Sequence, residues 1–270
     1  MREKILVRGG GDMATGTIHR LHRSGFPVLV LECEAPTAIR RKVAFSEAVY
    51  EGTAEVEGIL CRRIHRLEET EAVWRAGEVP LLVDTQAQCA EAFGPYALVD
   101  AILAKRNLGT RRDMAPLTIA LGPGFNAGED VDFVVETMRG HDLGRIFSTG
   151  QAAPNTGVPG IIAGYGAERV IHAPASGTLH SLVHIGDWVE KGQPLARIGQ
   201  VPVPASLTGV VRGLIRDGFS VEKGLKIADI DPRGSQQKNC FTISDKARCI
   251  AGSVLEILLH SLAEREETSP

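Results

Sequence analysis

Two glycine clusters carry the residue types and spacings from which chemistry can be read. The first is Gly9-Gly10-Gly11-Asp12-Met13-Ala14, directly behind the apolar run Ile5-Leu6-Val7. Gly9, Gly11 and Ala14 fit the G-x-G-x-x-A form of the dinucleotide fingerprint, and Glu32 follows about 20 residues on, where a ribose hydroxyl would be bound. Glycine lets the backbone turn tightly and approach a phosphate, and the next helix points its free N–H groups at the anion. Asp12 works against this, because a carboxylate there repels phosphate unless a metal or a basic group intervenes. The second cluster, Gly122-Pro123-Gly124-Phe125-Asn126-Ala127, repeats the spacing behind Leu117–Leu121. Between the two, Lys105, Arg106, Arg111 and Arg112 surround Asn107 and Gly109, which suits an anion-binding loop or a solvated connection. Arg40 and Arg41 offer guanidinium groups for phosphate or begin a solvated helix. Each glycine turn also has a plainer reading, a tight connection that binds nothing.

These residues need elements to position them. Ala14, Ile18 and Leu21 recur at helical spacing until Gly25, and Val28–Leu31 is a second apolar run ending at Glu32. That order is strand, glycine turn, helix, strand, acid. Val79–Asp84 and Leu98–Asp100 read as further strands, with Asp84 and Asp100 at ligand-bearing strand ends or as helix caps. Val131, Val134, Val135 and Met138 fall at i, i+3, i+4, i+7 and predict an amphipathic helix. The pattern predicts an α/β fold over residues 1–169: a Rossmann-like parallel sheet with glycine-rich turns at its carboxyl edge.

From Val170 the texture changes to short alternating strands with frequent glycine. Gly186-Asp187-Trp188-Val189-Glu190-Lys191-Gly192 is repeated as Gly218-Phe219-Ser220-Val221-Glu222-Lys223-Gly224, and Pro174-Ala175-Ser176 as Pro204-Ala205-Ser206. The two copies resemble the half-barrels of biotinyl and lipoyl domains, which implies a small all-β barrel-sandwich module over 170–233. The hairpin between the halves, Ile198-Gly199-Gln200-Val201-Pro202, has no lysine, so covalent biotin or lipoate is not expected. Residues 234–270 read as a linker and a helix capped by Ser244, with Ala247, Ile250, Val254, Leu258 and Leu262 on one side. That helix is expected to return to the first domain or to join a homodimer. Cys240, just ahead of it, is either a thiol activated by the helix dipole or a buried packing residue.

Composition excludes several classes. A net charge of -3 argues against a nucleic-acid partner. No apolar run approaches the roughly 20 residues that cross a bilayer, and the chain enters a strand at once with no secretion signal. Five scattered cysteines without C-x-x-C give no disulfide frame and no metal site. A cytoplasmic protein is expected.

The stretches VRGGGDMATGTIHRLHRSGFPVLVLE, RRKVAFSEAVYEG, LVDAILAKRNLGT, MAPLTIALGPGFNAG, ETMRGHDLGR, PNTGVPG and CFTISDKAR resemble the YqeB-type accessory proteins of selenium-dependent molybdenum hydroxylases. Through the first glycine turn the chain is distantly similar to the XdhC-type proteins that mature molybdenum cofactor. The resemblance implies a part in preparing or inserting that cofactor, with a molybdenum hydroxylase and other maturation proteins as partners. It carries over the glycines, the Lys105-Arg106-Asn107 loop and Cys240 as candidates. Two functional readings follow. In one, the pyrophosphate or pterin of a molybdopterin-type cofactor lies between the glycine turns and Cys240 handles sulfur or selenium. In the other, the chain is an NAD(P)-binding oxidoreductase or a nucleotide-sensing regulator, and Glu32 selects a free 2′-hydroxyl.

Overall fold

A computed structural model of the chain describes residues 3–157 and 160–268. The chain forms two compact units: the first combines Met1–Pro36, Ala44–Asn155 and Ile243–Pro270, the second Thr37–Val43 and Thr156–Thr242.

The first unit is built on a nine-stranded sheet. Its strands are β1 (Ile5–Arg8), β2 (Val28–Glu32), β3 (Thr53–Val56), β4 (Ile59–Ile64), β5 (Val79–Val83), β6 (Ala97–Asp100), β7 (Leu117–Leu121), β8 (Phe133–Val135) and β9 (Ile146–Phe147). Their order is β3-β4-β5-β2-β1-β6-β7-β8-β9. The central strands β4, β5, β2, β1, β6, β7 and β8 run parallel. Runs such as ILVR and LTIAL are buried along their whole length, as expected of strands covered on both faces. Both ends of the sheet turn antiparallel, at β3–β4 and β8–β9. The β3–β4 hairpin uses Glu57 and Gly58, both at positive φ, the turn that matches strand twist.

Helix is scarce. The short helices α2 (Ala48–Glu51), α3 (Thr70–Arg75) and α4 (Ala90–Phe93) lie between α1 (Asp12–Arg23) and the long α5 (Asp245–Thr268). α1 and α5 pack together with backbone contact at one place: a Cβ on Gly16 would lie 2.7 Å from Ala247 Cβ.

The second unit contains two antiparallel sheets. One is ordered β10 (Val170–His172), β17 (Lys226–Asp231), β15 (Gly209–Leu214), β12 (Trp188–Val189); the other β14 (Val201–Pro204), β13 (Pro194–Ile198), β11 (Gly177–Ser181), β16 (Ser220–Val221). The sequence repeat reappears as repeated bonding. Gly186 N donates to Val211 O and Gly218 N to Leu179 O, both at 2.8 Å. Gly192 N donates to Ala205 O at 2.8 Å and Gly224 N to Ala173 O at 2.9 Å. Each copy therefore bonds into the other.

The structure corrects the fold class predicted from sequence. In place of a Rossmann-like parallel sheet joined to a barrel-sandwich there is a mixed sheet with antiparallel ends, few helices, and two separate four-stranded antiparallel sheets. The misread segment is Val131–Met138. Its apolar residues have helical spacing, but Phe133–Val135 is strand β8, paired to β7 and β9. Three of the four stripe residues are valines, whose branched Cβ suits a strand better than a helix. The second glycine cluster therefore joins strand to strand and opens no helix.

Candidate functional site

The parallel strands bring their carboxyl ends to one edge, and the strand order reverses between β1 and β6. In an open sheet that reversal leaves a crevice in which ligands bind. Here the crevice is filled from within. Arg8 ends β1 opposite Asp100 at the end of β6, and both are buried. Arg8 Nη1 donates to Thr110 Oγ1 at 2.5 Å, and that hydroxyl donates to Asp100 Oδ2 at 2.5 Å. Arg8 Nη2 reaches the carbonyls of Thr85 and Leu108 at 2.9 and 3.3 Å. Burial pushes the Asp100 carboxyl up, against the hydrogen bond from Thr110 and the charge of Arg8.

The glycines divide by what lies beside them. Gly9 has φ +99°, and a Cβ there would meet the Ala101 carbonyl at 3.0 Å. On Gly122 it would meet Thr137 Oγ1 at 2.6 Å and Leu103 at 3.2 Å; on Gly124, the Arg106 backbone at 2.6 Å. The two glycine turns thus clasp one stretch of chain, residues 101–106. Gly10 is closed as well: its N–H donates to Glu32 Oε2 at 2.7 Å and its carbonyl accepts from Ser46 N at 2.8 Å. Gly11 differs. Nothing lies within 4 Å of its Cβ position, and it precedes α1 without any side-chain cap. The first-turn N–H groups of a helix have no partner within the helix, and Gly11 stands at that end of α1, with Ala14 buried on the helix behind it.

The other candidates have mostly structural work. Glu32 accepts from Gly10 N and, through Oε1, from Cys33 N at 2.8 Å, so it pins the turn. Asn107 Oδ1 accepts from Gly109 N and Thr110 N, both at 2.8 Å, and its Nδ2 donates to Thr110 O, which shapes the loop carrying the exposed Lys105 and Arg106. Asn126 N donates to Asp130 Oδ2 at 2.8 Å in a local turn. Arg40 and Arg41 belong to the second unit. Arg40 donates to the carbonyls of Asn239 and Thr242, both at 3.1 Å, and Arg41 Nε to Leu214 O at 2.8 Å. Cys240 lies in the apolar core of that unit, 1% exposed, and burial pushes its thiol up, away from the thiolate needed for attack. Cys33 and Cys89, near the first sheet's edge, are likewise raised by burial, to about 11 and about 12.

Sequence reasoning missed Lys246, in the first turn of α5. It is half-buried, and burial lowers its pKa, with Arg139 adding to the effect and Asp12, Glu136 and Asp245 opposing it. A cation at a helix N-terminus opposes the macrodipole. That local conflict, behind the Ser244 cap, was the available signal. Among the described residues no group of three or more His, Cys, Asp and Glu is placed to hold a metal ion. No helix among them is long and apolar enough to cross a membrane.

Sheet and site together describe a mixed-sheet protein with open space beside Gly11 in its first glycine turn. Among curated proteins the chain is 49% identical over 255 residues to the uncharacterized protein YqeB of Escherichia coli (strain K12), an alignment covering 94% of this chain and 47% of that protein. The chain is YqeB-like over that alignment and spans about half the length of the curated relative it matches. No family model matches the chain. Solved structures with partial likeness include the ectoine utilization protein EutE (DoeB) from Ruegeria pomeroyi, at 12% identity, 85% of each chain and TM-score 0.25. A succinylglutamate desuccinylase/aspartoacylase from Rhodobacter sphaeroides gives 12% identity, 85% of each chain and TM-score 0.27. An aspartoacylase family protein from Mesorhizobium loti gives 10%, 87% of each chain and 0.27. Likeness at this level carries no functional argument.

Proposed function

We propose that the chain is an accessory protein of a molybdenum hydroxylase system that binds the phosphate of a nucleotide or molybdopterin-type cofactor at the N-terminus of α1. The observation that carries the binding reading is the open space beside Gly11, where its neighbours Gly9 and Gly10 are closed by the chain's own backbone. The molybdenum assignment rests on the motif resemblance described above. Glu32, with one backbone N–H on each carboxylate oxygen, favours a phosphate-directed site over one that reads a nicotinamide ribose.

Gly11→Val is the decisive variant. Gly11 has φ -64° and ψ 178°, a conformation open to any residue, and a Cβ there meets nothing within 4 Å. The fold should survive while the branched side chain covers the opening. Calorimetry with NAD, NADP, CTP, GTP and molybdopterin should find one binder with a micromolar Kd, worth about -8 kcal/mol, which Gly11→Val loses. Equal binding by Gly11→Val, or no binder in the set, would remove the proposal.

A further inference from the structure

The two connections that flank β6 leave a groove between them. One wall runs from Gln86 through α4 to Pro95, just before β6, and the other from Arg111 to Pro116, leading into β7. Both rest on one apolar cluster. Ala87, Ala90 and Phe93 belong to it with Leu98 of β6, and Met114 and Ala115 pack against it. The groove lies in the first unit and has a volume of about 780 Å³. Small-molecule sites span about 300–1,000 Å³. None of Gly9–Asp12 lines it, so it is a separate place from the first glycine turn.

Both walls are braced by the chain itself. Asp84 Oδ2 accepts from Cys89 N at 2.9 Å and the Asp84 carbonyl from Ala87 N at 3.2 Å, while Arg8 Nη2 holds the carbonyl of Thr85 at 2.9 Å. Ala87 takes φ 54°, a left-handed backbone that alanine keeps only where its surroundings impose it. That turn buries Ala87 and leaves Gln86 and Gln88 exposed on either side. On the other wall Arg111 N donates to Met114 Sδ at 3.3 Å, and Arg111 Nε to Asp113 Oδ1 at 3.0 Å. Among the described residues the lining holds no aromatic and no branched aliphatic side chain. Alanines, prolines and the Met114 thioether make a low floor on which a flat ring can lie, and sulfur makes favourable contacts with aromatic rings. A guanidinium plane such as that of Arg111 stacks on such rings as well.

The rim decides which ring. Among the described residues the Glu91 carboxylate has no hydrogen bond and no ion pair, and the side-chain amides of Gln86 and Gln88 have no partner. A carboxylate accepts two parallel N–H bonds at once. A 2-amino-4-oxopyrimidine ring presents its ring N–H and its amino group side by side, which is that pair of donors. Adenine, cytosine and uracil have an acceptor beside each donor instead. The oxo group is then left for a glutamine amide, which donates. We propose that the groove takes the 2-amino-4-oxopyrimidine ring shared by guanine and the pterins, with the ring N–H and amino group donating to Glu91 and the ring face against Arg111 and Met114. This assignment rests on the nucleotide or pterin reading of the chain and names the part of that ligand which carries no phosphate.

The test uses the full chain and rings without phosphate: guanosine and 6-hydroxymethylpterin, titrated by calorimetry at neutral pH beside adenosine and cytidine. One of the first two should bind, the tighter of them identifying the source of the ring, and adenosine and cytidine should not. The counterpart of the binder that lacks the amino group (inosine for guanosine) leaves half of the carboxylate unpaired and should bind about tenfold more weakly. Glu91→Gln, at an exposed position, should melt with the parent. It should bind the ring about tenfold more weakly and lose the preference for the amino group. In nitrogen-15 spectra the side-chain amides of Gln86 and Gln88 should shift as the ring is added. If neither ring binds, if the counterpart or Glu91→Gln binds within twofold, or if the shifts fall elsewhere, the groove assignment is wrong. The Gly11 reading would then still be decided by the phosphorylated ligands and Gly11→Val. If the rings bind as described while Gly11→Val holds the phosphorylated ligands as tightly as the parent, the phosphate reading falls and the groove assignment stands.

Discussion

Arg8 is a full charge placed inside the first unit, 2% exposed, and everything it touches is a strand end or a loop at the ligand edge. Its position in the sequence, closing the run Ile5-Leu6-Val7, gives no sign that it is buried. A guanidinium there joins the ends of β1 and β6 to the loops at Thr85 and Leu108, so its loss would leave Asp100 without its counter-charge and Thr110 Oγ1 and two carbonyls without their donor. Removing one partner of a buried pair costs about 3–5 kcal/mol. Arg8→Met should therefore destabilise the chain by about that much in urea unfolding, and Thr110→Val, which breaks only the bridging hydroxyl, by about 1–3 kcal/mol. An Arg8→Met loss below that of Thr110→Val would mean that the pair is not held as described. The residue scale also shows what glycine spacing leaves open. G-x-G-x-x-A states that a backbone must come close to something. At Gly9, Gly122 and Gly124 that something is residues 101–106 of the same chain, and at Gly11 it is open space. No local pattern separates the two cases. Lys246 was hidden for a related reason, since its neighbours Asp12 and Glu136 lie far from it in sequence.

At the scale of elements, the start of α5 is held by a β-turn. Glu57, at φ 48° in the β3–β4 hairpin, accepts from Ile243 N at 2.8 Å and from the Arg248 guanidinium at 2.6 and 2.8 Å, with His19 Nε2 on α1 at 4.0 Å. Burial works to raise the Glu57 carboxyl, but the bonds from Arg248 and Ile243 outweigh it and the pKa lies below its usual range. His19 is also lowered, chiefly by burial. Both groups bind protons less readily folded than unfolded. Their contribution to stability is therefore present at neutral pH and lost as pH falls, first through the ordinary histidine range and then through the lowered carboxyl pKa. Glu57→Ala should cost about 1–3 kcal/mol at neutral pH, speed amide exchange over residues 243–250, and flatten the acid limb of the stability profile. An unchanged acid limb would place that sensitivity elsewhere. The elements themselves were unevenly legible. β1, β2, β5, β6 and β7 are continuous apolar runs bounded by glycine, proline or acid, and the sequence marks each of them. β8 was read as helix because its valines satisfy a helical spacing and a strand pairing alike, and only its neighbours β7 and β9 decide between them.

At the scale of the whole molecule, the repeat in the second unit makes the most symmetrical demand. Val189 and Val221 hold equivalent places in Gly186–Gly192 and Gly218–Gly224, and they are 0% and 2% exposed in one apolar core. Each begins or ends a two-residue strand pairing with the opposite copy: Val189 faces Gly209 on β15, and Val221 faces Gly177 on β11. The flanking lysine amides are bonded alike, Lys191 N to Thr208 Oγ1 at 3.0 Å and Lys223 N to Ser176 Oγ at 2.9 Å. A carboxylate buried at either valine, with no partner, costs several kcal/mol. Because each copy supplies strands to the other's sheet, damage cannot stay within one half. Val189→Asp and Val221→Asp should therefore unfold the unit to the same extent, whereas Val201→Asp, at a 41% exposed position on β14, should change stability by less than about 1 kcal/mol. Thermal melts followed by circular dichroism, with limited proteolysis across residues 156–242, would show it. A large difference between the two aspartates, with one half remaining protected, would mean that the copies fold separately and that the exchanged hydrogen bonds contribute little.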